Sequence, residues 1–270
     1  MAVVTLTTDW GMSDFYLASL KGALLQHAPQ ATLVDISHGI AQHDEAEAAF
    51  TLRHAYAHFP KGSIHIIGVN SAPNSSALLL AEVDGHYFIC ADNSCLSLMF
   101  VQPECVVSAA QEEKNAMLNA APRLVQQLLS GVAVKDLGAP TELQAATPIA
   151  PVLNHKPCAT GEQVVASMVG RILHIDSYGN AITNISQQLY NEHSGGRACT
   201  VFFNSSRYKS PQIFGSYTDV EMGSPVAFFN SLGLLEVATN HGNASHLYRL
   251  DKENSTITIL FNGQRTTDNE

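Results

Sequence analysis

AVVTLTTDWGMSDFYLASLKGALLQHAPQATLVDIS, residues 2–37, reads as strand, loop, helix and strand, and the fold follows from it. Residues 2–7 form a short β-branched apolar run. Ser13 can cap a helix in which Phe15, Leu17, Leu20, Leu24 and Leu25 fall near helical spacing. ATLVDIS (31–37) is a second strand. Asp44-Glu45-Ala46-Glu47 has the character of a capping box and opens a helix running to about His58, where Pro60 and Gly62 stop it. SIHIIGVN (63–70) is the third strand. This alternation implies parallel strands joined by right-handed crossovers, hence an α/β layered domain.

Working outward, strands at 77–83, 86–91 and 104–108 and a helix near 120–129 complete a first domain over 1–145. Residues 146–165 are rich in Ala, Pro and Thr without a sustained period, as suits a linker. From 166 to 270 the pattern is all-β. Strand candidates at 166–175, 199–203, 225–230, 234–239, 246–250 and 256–261 are separated by Gly, Asn and Ser clusters, which predicts a small barrel or sandwich.

Composition excludes several function classes. A net charge of -10 with only 14 Lys+Arg lacks the basic face that a nucleic-acid or anionic-membrane partner requires. The start, MAVVTLTTDW, lacks the flanks of a signal peptide, and no apolar stretch approaches the roughly 20 residues of a bilayer span, so a cytoplasmic protein is expected. Cys90, Cys95, Cys105, Cys158 and Cys199 are irregularly spaced, expected reduced and mostly buried, and form neither a zinc knuckle nor a disulfide framework. His54 and His58 have helical i, i+4 spacing but no carboxylate motif beside them, and read as a solvated helix face.

In an open parallel sheet, ligands bind beyond the carboxyl ends of the strands. Here those ends deliver Thr8-Asp9-Trp10-Gly11, Asp35-Ile36-Ser37-His38, Asn70-Ser71-Ala72 and Asp92-Asn93. Any one of them also reads as an ordinary turn or cap; four together point to a site along one edge. No GxGxxG or GxxxxGK[ST] is present, so a dinucleotide or P-loop phosphate cradle is unsupported. In the second domain, GRILHIDSYGNAITNIS (170–186) reads as strand, turn, strand with Gly179 at the turn. Its Tyr178 could stack on a planar ring while Asn180 bonds the ring's polar edge.

Six segments in order, LTTDWGMSDFYLASLKGALL (6–25), VDISHGIAQHDEAEAAF (34–50), FPKGSIHIIGVN (59–70), ADNSCLSL (91–98), HIDSYGNAITNI (174–185) and FFNSLGLLEVATNHGNAS (228–245), resemble the S-adenosylmethionine (SAM) hydroxide adenosyltransferase family. That family includes the SAM-dependent chlorinases and fluorinases. The resemblance implies a Rossmann-like amino-terminal domain, a carboxy-terminal β-barrel, and a homotrimer binding SAM between one subunit's first domain and its neighbour's second. It implies that Asp9 holds the ribose hydroxyls, Asp14 lies near the methionine end, and Asp176 receives the methionine ammonium. Tyr178 and Asn180 correspond to residues around the adenine, Ser231 to a contact with the methionine carboxylate, and the backbone at Asn243-Ala244 to an adenine-edge contact. His43 stands where relatives carry an aromatic residue.

The implied reaction is attack of hydroxide or halide on the ribose C5′, with methionine leaving from a sulfonium. No metal or further cofactor is implied, since the substrate carries its own charged leaving group. Yet the Asp-Arg-His set of the hydroxide-using branch is absent: Asn70 stands at the Asp, Ala77 at the Arg and Asn115 at the His. Leu232 and Ser94 replace an Arg and a Gly of relatives. An Asn cannot take up a proton near neutral pH. Three readings result. The protein hydrolyses SAM to adenosine and methionine with Asn70 and Asn115 orienting the water; or it binds an adenosyl ligand without turnover; or it uses another nucleophile, such as halide, or another nucleoside, with the loop 70–76 and His43 as altered elements and a neutral His available as base.

Overall fold

The computed structural model describes residues 2–71, 77–109, 114–157 and 163–262. The loop positions 72–76 and Cys158 lie outside them. The chain divides into two compact units, Met1–Thr147 and Pro148–Glu270.

The first unit comprises β1 (Ala2–Thr8), α1 (Phe15–His27), β2 (Ala31–Ser37), α2 (Glu45–Arg53), β3 (Ile64–Gly68), β4 (Leu78–Val83), β5 (His86–Ala91), α3 (Cys95–Met99), β6 (Cys105–Ala109), α4 (Ala116–Asn119), α5 (Ala121–Leu129) and β7 (Ala139–Pro140). Its sheet has the order β2-β1-β3-β5-β4-β6-β7. β1 is parallel to β2 and β3, as the alternation predicts, and β3 is parallel to β5. β4 runs against β5 and β6, and β7 against β6, so the sheet is mixed. Val4 and Leu6 of β1 pack with Leu17, Leu20 and Leu24 of α1 and Leu124, Val125 and Leu128 of α5 on one face. Ile67, Leu79 and Phe88 pack with Ala48, Ala49 and Leu52 of α2 and Leu96 of α3 on the other. Each fully buried Leu, Ile or Phe contributes about 2 kcal/mol through its area removed from water.

Two local expectations are corrected. α1 begins after Asp14 rather than Ser13, and Phe15 and Leu25 are 66% and 53% exposed, outside the apolar stripe. α2 is capped as expected, Asp44 Oδ1 accepting from Glu47 N at 2.8 Å, but it ends at Arg53. Tyr56 turns instead into an aromatic cluster with His65, His86, Phe88 and Phe100, and Tyr56–His58 forms a 3-10 turn. His54 and His58 therefore share no α-helical face; the His54 ring lies 2.8 Å from its own helix's Phe50 carbonyl.

The second unit comprises β8 (Val152–Pro157), β9 (Gln163–Ile175), β10 (Ala181–Ser186), α6 (Gln187–Ser194), β11 (Cys199–Phe203), β12 (Lys209–Ser210), β13 (Pro225–Phe229), β14 (Leu234–Thr239), α7 (Ala244–Tyr248) and β15 (Thr256–Phe261). The strands follow the order β12-β11-β15-β9-β10-β14-β13, with β8 also on β9, and form a nearly closed antiparallel barrel. Phe203, Phe261, Ile257, Ile259 and Val237 fill it.

Two readings change here as well. The stretch expected to be a linker contains β8, paired with β9 from Val152↔Val169 to Pro157↔Gln163. Because β8 is largely exposed, it carries no alternation of apolar residues to read. Residues 246–250, expected as a strand, belong mostly to α7: the Asn243 side chain accepts from His246 N at 2.8 Å and starts a helical turn that buries Tyr248. Among the described residues, no helix is long and apolar enough to cross a membrane.

Candidate functional site

Beyond the carboxyl ends of β1 and β3 the first unit has a cavity of about 330 Å³, within the range of small-molecule sites. Asp9, Asp14, His43, Asn70 and Asn115 line it, together with Trp10, Tyr16, Ser71 and Met117. Asp9 organises the rim. Its Oδ2 accepts the backbone N–H of His43 at 2.9 Å and of Asn70 at 3.1 Å, tying two loops to the end of β1. Both donors sit at positive φ, 63° for His43 and 48° for Asn70, a conformation in which Asn and His are enriched. Asp14, the N-cap of α1, makes no side-chain capping bond. Asn115 caps α4 at φ 53°, also without a side-chain capping bond. Trp10 packs closely on β3 at Gly68, where a Cβ would lie 3.0 Å from the indole and crowd it.

Below this rim runs a side-chain network that the sequence did not reveal. Glu45, the first residue of α2, receives Asn70 Nδ2 on Oε1 at 2.6 Å, and Ser94 N on Oε2 at 2.8 Å together with the Ser94 hydroxyl. Burial pushes the Glu45 carboxyl up, but hydrogen bonds from Ser94 and Asn70 outweigh it and hold the pKa below the usual value. Asn70 Oδ1 lies 3.1 Å from His43 Nδ1. Ser94 thus grips the carboxylate that fixes Asn70. Asn93 Nδ2 donates to Val69 O at 3.1 Å and steadies the chain just before Asn70.

The strand ends do not all reach the cavity. Asp35 is taken up by Lys21 at 2.7 Å and His38 at 3.1 Å, and His38 bonds Thr8 at 2.8 Å, so the end of β2 buttresses α1. Ala77, at the expected Arg position, offers a methyl group beside Leu78, which lines the cavity.

In the second unit, Asp176, Tyr178 and Asn180 share the β9–β10 turn. Asp176 Oδ1 accepts Tyr178 N at 2.9 Å and Asn180 N at 2.8 Å, and Oδ2 accepts Asn180 Nδ2 at 3.0 Å. Tyr178 is 77% exposed, its ring free of the barrel core. Gly179, at φ 85°, rests directly on Asn243, since a Cβ would come within 2.2 Å of that side chain. Ser245 N donates to Gly179 O at 2.8 Å, so Asn243 and Ala244 lie beside the turn. Ser231 is exposed on the neighbouring β13–β14 turn, where Asn230 Oδ1 accepts Leu232 N at 3.0 Å. Beneath these turns, Asn180 Nδ2 reaches Tyr217 OH at 3.3 Å, Tyr217 donates to buried Glu236, and Asn230 Nδ2 donates to Glu236 at 2.9 Å. No motif in the sequence flags Tyr217 or Glu236.

Cys90, Cys95 and Cys199 are buried free thiols, and Cys105 is a half-buried one. Among the described residues, no cluster of His, Cys, Asp and Glu has the geometry to hold a metal ion.

Comparison with known proteins agrees across both units. Residues 4–146 match the SAM hydroxide adenosyltransferase N-terminal domain, and residues 170–257 the C-terminal domain. The chain is 27% identical to an (R)-S-adenosyl-L-methionine hydrolase of Thermus thermophilus, over 96% of this chain and 100% of the relative. It is 21% identical to a fluorinase of an Actinoplanes species, over 95% and 97%. A crystal structure of a conserved protein from Thermotoga maritima shares the fold with a TM-score of 0.79 at 20% identity, covering 96% of this chain and 99% of that one. With both domain models matched in order and the cavity where the fold places ligands, the chain belongs to the SAM hydroxide adenosyltransferase family.

Proposed function

We propose that this protein binds SAM and hydrolyses it to adenosine and L-methionine by attack of water on the ribose C5′. The observation that carries this reading is the Asp9 carboxylate. Its Oδ2 is occupied by two backbone donors, Oδ1 has no partner among the described residues, and the residue lines a cavity of about 330 Å³. A carboxylate so presented suits the paired hydroxyls of a ribose. The hydrolase relatives support the reaction.

In this reading Asp14 lies near the methionine end, and Asn70 and Asn115 orient the water. Asp176 receives the methionine ammonium, Ser231 the carboxylate, and Tyr178, Asn180 and the Asn243-Ala244 backbone the adenine. The second set comes from a neighbouring subunit of a homotrimer, which suits the exposed Tyr178 ring. Alignment and exclusion of water supply the rate, and SAM's own sulfonium supplies the leaving group, with no cofactor. The free thiols fit a cytoplasmic location.

The test is incubation of purified protein with each sulfonium epimer of SAM in ¹⁸O-water, with mass spectrometry of the products. Adenosine labelled at the 5′ oxygen is expected. Heat of binding without adenosine would favour the binding-module reading, for which Ala77 in place of a guanidinium is the structural motive. Neither heat nor product removes the proposal.

A further inference from the structure

We propose that His43 is the base of this site, and that Glu45 and Asn70 set its protonation pattern in place of the missing Asp-Arg-His set. The inference rests on the hydrolysis reading and names the group that takes the proton from water.

The chain of hydrogen bonds has one consistent polarity. Glu45, its pKa lowered, is an acceptor only, and Ser94 N–H already donates to its Oε2. The Asn70 amide atom 2.6 Å from Oε1 must therefore be the N–H donor, Nδ2. That orientation turns Asn70 Oδ1 toward His43 Nδ1, 3.1 Å away, so Nδ1 carries the hydrogen. In a neutral imidazole the lone pair then sits on Nε2. His43 lines the cavity, and Asp9 holds its backbone N–H at 2.9 Å. An orienting acceptor on one ring nitrogen and a free lone pair on the other is the arrangement a general base needs.

In the step itself, an O–H bond of water breaks and its proton goes to His43 Nε2. The oxygen lone pair forms the bond to C5′, and the C5′–S bond breaks with its electron pair passing to sulfur. Methionine leaves as a neutral thioether. The imidazolium, facing Asn70 Oδ1 with the Glu45 carboxylate behind it, returns its proton to solvent. His43 is the catalytic group; Asn70 and Glu45 are positioning residues.

His43→Gly tests this directly, because glycine accepts φ 63° without strain and leaves an imidazole-sized space. Turnover should fall about 100-fold or more, with SAM affinity by calorimetry unchanged. Added imidazole should restore it, with rates that track the basicity of substituted imidazoles. Glu45→Gln, which lets the Asn70 amide reverse, should lower turnover about tenfold. If His43→Gly is unstable, His43→Asn, which also tolerates the left-handed region, should show the same loss without rescue. A His43→Gly protein that turns over at the wild-type rate, or loses activity with no response to imidazole, overturns the role of His43 and leaves hydrolysis standing. Wild-type protein that forms no adenosine overturns both.

Discussion

The cavity rim of the first unit and the β9–β10 turn of the second are built on opposite plans. Asp9, His43, Asn70, Glu45 and Ser94 come from four connections far apart in sequence and are joined side chain to side chain or side chain to backbone. Asp176, Tyr178 and Asn180 come from one turn and bond within four residues of each other. A site made of one turn is rigid because its backbone is closed on itself. A site made of separate loops is only as rigid as the sheet that spaces them. The turn therefore tolerates little change in shape, whereas the rim is sensitive to loss of a single charge.

Gly179→Ala should break the turn most severely. Its φ of 85° disfavours any Cβ, and the added methyl would collide with Asn243. A loss of about 3 kcal/mol in barrel stability is expected from strain and overpacking together. Gly62→Ala, at the same φ of 85° but with open space, should lose only the strain component. Equal losses in denaturant titrations would mean that contact with Asn243 contributes nothing.

Glu236→Ala comes next, at about 2 kcal/mol, since it leaves the Tyr217 hydroxyl and the Asn230 amide without their buried acceptor. The turn's own bonds should survive it, so hydrogen exchange at Asn180 N–H should stay slow. Rapid exchange there would show that the turn depends on the layer below.

For the rim, Asp9→Asn removes the charge that holds two loops. Adenosine affinity should fall about tenfold, or about 1.4 kcal/mol, with faster hydrogen exchange at His43 and Asn70. Unchanged exchange at both would mean that the loops do not rely on Asp9.

The most gradual effect, spread over several pH units, is acid sensitivity of the first unit. Burial and repulsion from His86 lower the His65 pKa from 6.5 to about 3. Between those values the unfolded chain binds the proton and the folded one does not. Stability is thus fully present above about pH 6.5 and lost as pH falls, by about 1 kcal/mol per pH unit. Thermal melts of His65→Leu should depend less steeply on pH than those of the wild type; equal slopes would remove His65 as the cause.

Local chemistry was legible where local chemistry decides. β1, β2, β5, β11, β14 and β15 follow the expected runs within a residue, because β-branched and apolar side chains there favour extended backbone and turn residues bound each run. The β9–β10 turn was legible because Asp, Gly and Asn leave few alternatives. β8 and α7 were not: β8 pairs through its backbone while its side chains stay exposed, and Asn243 overrides an apparently alternating run. At the site, Asp9, Asp14, His43, Asn70 and Asn115 were expected, and all line one cavity. Glu45 was hidden inside a capping pattern that explained it without reference to any ligand.

By itself the sequence determined the family and the two-part division into α/β and β halves, since each depends on residue identity and order along the chain. Only the tertiary structure decided that Glu45 and Ser94 orient Asn70, that Asn70 orients His43, and that one oxygen of Asp9 is already spent on two loops. Those relations join residues 25 to 61 positions apart, and hydrogen-bond direction is set by what a neighbour can donate or accept, which no spacing in a linear sequence records.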